Sequence, residues 1–255
     1  MAMQLPSDSE EDRMSADDKV IAMRGLIEPW IEICDSLEER NRFSLRPELD
    51  KLIMDLIAHV EENHCKVVPP GTILFRARIN PKQSDGEVPP LAEAEMGAPP
   101  PSRATAGRIN PEGIPYLYTT EEEKTAVAEV RPWIGAQVTV ARFETTAGLS
   151  LANAVSSFPP PSLTDPFHWI WQQLISLQSF SKPVQPGAGT KYVVGQYLSE
   201  RLKNAGFHGL RYESVTNESG TNIALFDQHD ARITSRRVVE ITKIDCHYES
   251  LAVLR

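Results

Sequence analysis

The stretch GRINPEGIPYLYTTEEEKTAVAEV, Gly107 to Val130, places an arginine, a tyrosine and a late glutamate in one short unit. Arg108 follows a glycine and stands beside the turn NPEG. A guanidinium there can hold a phosphate through paired hydrogen bonds. Tyr118 ends a short apolar segment, and its ring can stack on a flat ligand, with an added gain if that ligand is cationic. Glu121, Glu122 and Glu123 stand at a helix start, where the helix dipole favours carboxylates, but Glu129 lies near the helix end, where it does not. Ala126, Ala128 and Val130 surround Glu129, and Thr125 occupies the position four residues earlier, where a cationic partner would help. Taken singly, these are a solvated arginine, a rim tyrosine and an exposed glutamate. Taken together, they suit a ligand with anionic, flat and cationic parts.

Other residues could join them. In LFRAR, Arg76 and Arg78 alternate with apolar residues and share one face of a strand. Ser214 in RYES and Asn222 in TNIALF lie next to short strands, where they can bind ribose hydroxyls or an amide, or simply stabilise turns. His64 and Cys65 resemble half a metal site, but no residue near them in sequence completes it, so no metal is expected. GxSxG, HExxH and GxGxxG patterns are absent, and GAGTK at 187–191 lacks the spacing of a phosphate loop.

These residues need a frame. Residues 1–16 read as a disordered acidic tail. From Asp17 to about Arg42, Val20, Met23, Ile27, Trp30, Ile31, Cys34 and Leu37 recur at helical spacing, with Pro29 predicting two helices or a kink. Leu49, Leu52, Ile53, Leu56, Ile57 and Val60 predict an amphipathic helix from Pro47 to His64. Together, 17–66 form a small helical N-terminal region. After VVPPG the pattern turns β-rich, and 67–255 reads as one α+β domain. Strands are expected at 72–79, in IPYLYTT, in GAQVTVARFE, in HGLRYES, in TNIALFD and in RRVVEITKI. Thr120 is expected to cap a helix, with Glu123 as its capping-box partner and the helix ending near Val130. Asp165 is expected to cap another helix running to about Gln178, and Gly206 to stop a third that starts at Tyr192. Residues 80–107 and 145–165 read as loops.

Composition narrows the function classes. With 255 residues the chain can bury an ordinary core. A net charge of −9 opposes binding to nucleic acid, which needs concentrated Lys and Arg. The three cysteines form no CxxC pair, which fits a reducing compartment. No leader-like segment or long apolar run is present, so a soluble, cytoplasmic protein without membrane contact is expected.

The order of Arg76 in LFRAR, then GRINPEG, Tyr118 in YLYTT, Glu129 in TAVAEV and Ser214 in RYES resembles the RES-domain family, named for its Arg, Glu and Ser. The segment carrying Tyr192, Gln196, Gly206, Gly209, Tyr212 and Ser214 resembles it too. The likeness covers roughly 70–240. It implies an ADP-ribosyltransferase-like fold, a mixed β core with flanking helices, and an enzyme that consumes NAD+ as substrate, with no cofactor. Family members are toxins of toxin–antitoxin pairs that degrade NAD+ by hydrolysis or phosphorolysis. The resemblance therefore implies an antitoxin or immunity protein as partner, and self-association is open. By the same matching, Glu129, Tyr118 and Arg76 are the catalytic candidates. Arg76, Arg78, Arg108, Asn110, Tyr118, Ser214 and Asn222 are the NAD-binding candidates. Ile109 stands where an aromatic residue often follows the Gly-Arg pair, and 80–107 and 145–190 look like insertions. Two other functions fit the same residues: transfer of ADP-ribose to a macromolecule, or nucleotide binding without catalysis.

Overall fold

The computed structural model describes residues 16–81, 88–155, 165–174 and 192–245. The expected tail and the end of the helix expected at Gln178 lie outside these residues.

An eight-stranded sheet organises the chain, in the order β1-β5-β6-β7-β3-β2-β4-β8. Its strands are β1 Cys65–Val68, β2 Ile73–Ile79, β3 Leu117–Thr120 and β4 Gln137–Thr145, then β5 Leu149–Ala154, β6 Gly209–Glu213, β7 Thr221–Leu225 and β8 Ala231–Glu240. Neighbours are antiparallel except β5 and β6, which run parallel. Burial explains the order. Every residue of β7 is buried, as expected of a strand covered on both faces near the middle of a sheet. The edges are blunted: β1 is short and mostly exposed, and β8 carries Arg232, Arg236 and Arg237.

Helix α1, Ala16–Asp35, runs through Pro29 as one helix and then widens into a π-turn over Ser36–Arg40. Helix α2, Pro47–Asn63, has Pro47 in its first turn and buries Leu49, Ile53, Leu56, Ile57 and Val60 along one stripe. Among the described residues, the other α-helices are α3 (Glu93–Met96), α4 (Glu123–Glu129), α5 (Pro166–Gln173) and α6 (Val193–Asn204). Trp30, Ile33 and Leu37 pack in the same cluster as Ile53, Trp171, Leu198, Tyr212 and Phe226. The N-terminal helices therefore share one core with α5, α6 and the sheet. The boundary expected between 66 and 67 falls inside β1.

Three local expectations are corrected. Residues 149–154, read as loop, form β5 in the sheet, with Leu149, Leu151, Ala152 and Ala154 buried. Leu149 and Leu151 are buried on one face and Ala152 and Ala154 on the other, so the alternation that marks a half-exposed strand is broken. Thr120 does not cap α4. The chain stays extended to Glu122, which is the N-cap, and the Thr120 hydroxyl donates to the Glu122 carbonyl at 2.7 Å. Within 80–107, α3 and a 3₁₀ turn at Pro101–Arg103 give local order, and Met96 is fully buried. The Asp165 cap and the stop at Gly206 (φ +96°) match expectation.

Gly209 shows how closely the central strands pack. A Cβ there would be driven into the Ala224 carbonyl oxygen of β7, with Leu151 Cδ2 at 3.2 Å on the β5 side. Gly209→Ala is expected to cost about 1–3 kcal/mol by overpacking. Urea unfolding monitored by circular dichroism measures this, and an unchanged midpoint would contradict the packing.

Candidate active site

Four adjacent strands build the floor of a cavity. Tyr212 on β6 pairs with Asn222 on β7, Asn222 pairs with Thr120 on β3, and Thr120 pairs with Phe75 on β2. Register partners project to the same side of a sheet, and these four side chains lie in one row along the cavity. Its volume is about 330 Å³, within the range of small-molecule sites. Arg76, Arg108, Tyr118 and Glu129 also line it.

The sheet is weakest where the arginine enters. β2 and β3 share one register pair, Phe75 with Thr120. Beyond it, the Tyr118 carbonyl accepts from Arg76 Nη1 at 2.8 Å, so a guanidinium satisfies a backbone group that a neighbouring strand would otherwise take. Arg76 Nε is buried without a hydrogen-bond partner. Burial, and then the neighbouring Arg78, pulls the Arg76 guanidinium down to about 10, so it stays charged at neutral pH. No carboxylate pairs with Arg76 among the described residues. A shielded cation with a spare donor at a cavity wall suits an anionic ligand.

Glu129 is held from the opposite side. Its Oε1 accepts from Ser214 Oγ and from Asn222 Nδ2, each at 2.7 Å. No described residue bonds Oε2. Ser214 is itself fixed, because its oxygen accepts from the backbone N–H groups of Thr216 (3.1 Å) and Asn217 (3.2 Å). Asn217 Nδ2 in turn donates to Thr125 Oγ1 at 2.8 Å, and Thr125 donates to Glu122 Oε2 at 2.9 Å. Glu122, Thr125 and Glu129 lie on one side of α4 at helical spacing. The loop between β6 and β7 is thus bonded to both ends of that helix. Asn222 Oδ1 remains buried and unpartnered beside the cavity.

The loop carrying Arg108 is built around Asn110. Asn110 Nδ2 donates to the carbonyls of Thr105, Pro111 and Ile114, and its Oδ1 accepts from the Tyr118 hydroxyl at 2.6 Å. Gly107 must be glycine: a Cβ would strike Asn110 Oδ1 and come within 2.9 Å of the Tyr118 hydroxyl. Gln196 Nε2 on α6 donates to the Gly107 carbonyl at 2.7 Å and steadies the turn. Burial above all, then the neighbouring Tyr212, pushes the Tyr118 hydroxyl well up, so it remains a donor. Burial also pushes Tyr212 up, Glu129 adds to the rise and Arg108 opposes it.

The structure therefore brings Arg76, Arg108, Tyr118, Glu129 and Asn222 to one cavity, with Ser214 touching Glu129 from behind. It places two expected residues elsewhere. Asn110 does not line the cavity, because its side chain is used to shape the loop. Arg78 is half-buried near Glu95 and Arg103, where burial pulls its guanidinium down, and it too lies outside the cavity wall. Ile109, at the position where an aromatic residue often follows the Gly-Arg pair, is buried in the core. Sequence reasoning gives no site role to Thr125, Asn217, Phe75 or Thr120, all of which the structure places at the cavity or in the network behind it. The spacing of Glu122, Thr125 and Glu129 was the available signal. Outside the cavity, the fold brings His59 and His168 to His64.

Residues 73–249 match the family model described as RES domain. No curated protein matches the chain. Among solved structures, the chain is similar to a chain of the M. tuberculosis MbcT–MbcA toxin–antitoxin complex. The identity is 8%, the match covers 74% of this chain and 94% of that one, and the TM-score is 0.44.

Burial raises the hydroxyls of Tyr116, Tyr118 and Tyr212 above their unfolded value. The native state then holds these protons more tightly than the unfolded chain. The resulting stability is full below about pH 10 and declines as pH rises from there towards the folded values. An ultraviolet titration should show these tyrosines ionising only as far-UV ellipticity is lost. Smooth ionisation of all six tyrosines near pH 10 in a folded chain would contradict the burial.

Proposed function

The chain belongs to the RES-domain family, and from that premise and the geometry of the cavity we propose that it cleaves the nicotinamide–ribose bond of NAD+. The carrying observation is the pairing of a fixed carboxylate, Glu129, with a shielded and under-bonded guanidinium, Arg76, on the walls of one cavity. Arg76 and Arg108 bind the diphosphate. Tyr118 and Tyr212 flank the nicotinamide end with aromatic surface. Ser214 and Asn222 orient Glu129 and act as positioning residues.

The reaction needs little from the protein beyond this. Nicotinamide leaves as a neutral molecule: the electron pair of the C1′–N bond moves to the ring nitrogen and cancels its charge, so no general acid is required. Positive charge grows on the ribose, as in glycoside cleavage. Glu129 stabilises that charge electrostatically in a partly dry site. The arginines hold the diphosphate so that the ribose meets the carboxylate in reacting geometry. Water then bonds to C1′ and loses its proton to solvent; inorganic phosphate can take the same place. The family membership further supports a toxin that drains NAD+ and is restrained by a partner protein.

The test is an NAD+ time course with purified protein, with and without phosphate and without any acceptor protein. Nicotinamide should appear. Glu129→Gln should lower kcat by roughly 100-fold or more, the size seen when one electrostatic stabiliser is removed. Arg76→Ala should act mainly by raising KM. Nicotinamide release only after a protein acceptor is added would point to a transferase. Unchanged turnover in Glu129→Gln would overturn the assignment.

A further inference from the structure

Three histidines converge outside the Arg76–Glu129 cavity, where α2 meets α5. His59 lies near the end of α2, His64 just after it, and His168 in the first turn of α5. One ring nitrogen from each lies within 4.8 Å of the others. His64 Nε2 and His168 Nδ1 are 3.0 Å apart, with the two rings stacked at 4.9 Å. His59 Nδ1 is 3.2 Å from the Asn63 amide, so its other nitrogen faces the group. That nitrogen, Nε2, is buried without a hydrogen-bond partner and lies 3.6 Å from Asp165 Oδ2. Asp165 Oδ1 caps α5 by accepting from the His168 backbone N–H at 2.9 Å, which leaves Oδ2 for another partner.

We propose that His59, His64 and His168 bind one Zn2+ ion that fastens α2 to α5, with the Asp165 carboxylate, 3.6 Å from His59 Nε2, turning in as the fourth ligand. The stacked, hydrogen-bonded pair of His64 and His168 is satisfied without metal; His59 Nε2 makes no hydrogen bond and meets only the Asp165 carboxylate at 3.6 Å, a contact that a shared cation would strengthen. Imidazole and carboxylate donors suit Zn2+, and four of them close a tetrahedral shell. Zinc–nitrogen bonds of about 2.0–2.1 Å place tetrahedral ligands roughly 3.3 Å apart. The His64–His168 pair then opens by about 0.3 Å, and His59 closes by side-chain rotation. Phe167 and Trp171 pack against the rings and supply a dry shell. The Asp165 carboxylate is 41% exposed and offers the ion a way in. A closed shell leaves no position for substrate, so the role is structural.

The test uses the full chain, stripped with a chelator and titrated with Zn2+ against a chromophoric competitor. One equivalent should bind with Kd below about 1 µM, as structural sites do. Co2+ should give the intense visible bands of a tetrahedral site. At about a hundredfold excess over Kd, Zn2+ should raise Tm by roughly 5–10 °C. His168→Gln and Asp165→Asn are chosen because both residues are partly exposed and tolerate change better than buried His64. Each should weaken Zn2+ binding at least about tenfold while keeping the wild-type circular dichroism spectrum. Binding weaker than about 100 µM, an octahedral Co2+ spectrum, or unaltered binding in the folded His168→Gln variant would each overturn the site.

Discussion

The structure around the cavity depends on one oxygen atom. Glu129 Oε1 takes hydrogen bonds from Ser214 and Asn222, residues about ninety positions away in the chain. The carboxylate stands at the end of α4, where the helix dipole repels it. The two donors offset that repulsion, and each comes from a different part of the β6–β7 hairpin. Remove the hairpin from α4 and Glu129 loses both its partners and its direction. The bonds of Asn217 to Thr125 and of Thr125 to Glu122 prevent this by tying the same hairpin to the start of the helix.

The sheet does for the cavity floor what this network does for its wall. Strands β6, β7, β3 and β2 are neighbours, though the β6–β7 hairpin is remote in sequence from β2 and β3. Their register turns four scattered residues into a single row. The guanidinium of Arg76 enters where β2 and β3 stop pairing, so a gap in the backbone ladder and a buried charge offset each other's deficits. An anion in the cavity would meet donors that the protein leaves partly unused.

Much of this was legible from the chain alone. The helix at 47–63 and most strands follow from periodicity, and the grouping of Arg76 with Arg108, Tyr118 and Glu129 follows from the resemblance to the RES-domain family. What escaped did so for physical reasons. β5 has buried residues on both faces, Leu149 and Leu151 on one and Ala152 and Ala154 on the other, so the apolar–polar alternation is broken. Thr120 looks like a cap, but strand pairing with β7 holds it extended. Asn110 has the chemistry of a ligand group, yet three carbonyls and a tyrosine hydroxyl consume it. Arg78 shares a strand face with Arg76, but two residues along a strand is about 6–7 Å, enough to carry it beyond the cavity. His168 could not be linked to His64 because only tertiary packing joins them.

The sharing of one core by α1, α2 and the sheet has a consequence for what counts as the unit of this protein. The family match begins at residue 73, after both helices and after β1. An excised 73–249 fragment would lose the helices that pack on α5 and α6 and leave β5 an open edge, inviting self-association in place of folding. The stretch that heredity makes recognisable is thus shorter than the stretch that thermodynamics requires, and any minimal version of the protein must carry its N-terminal helices along.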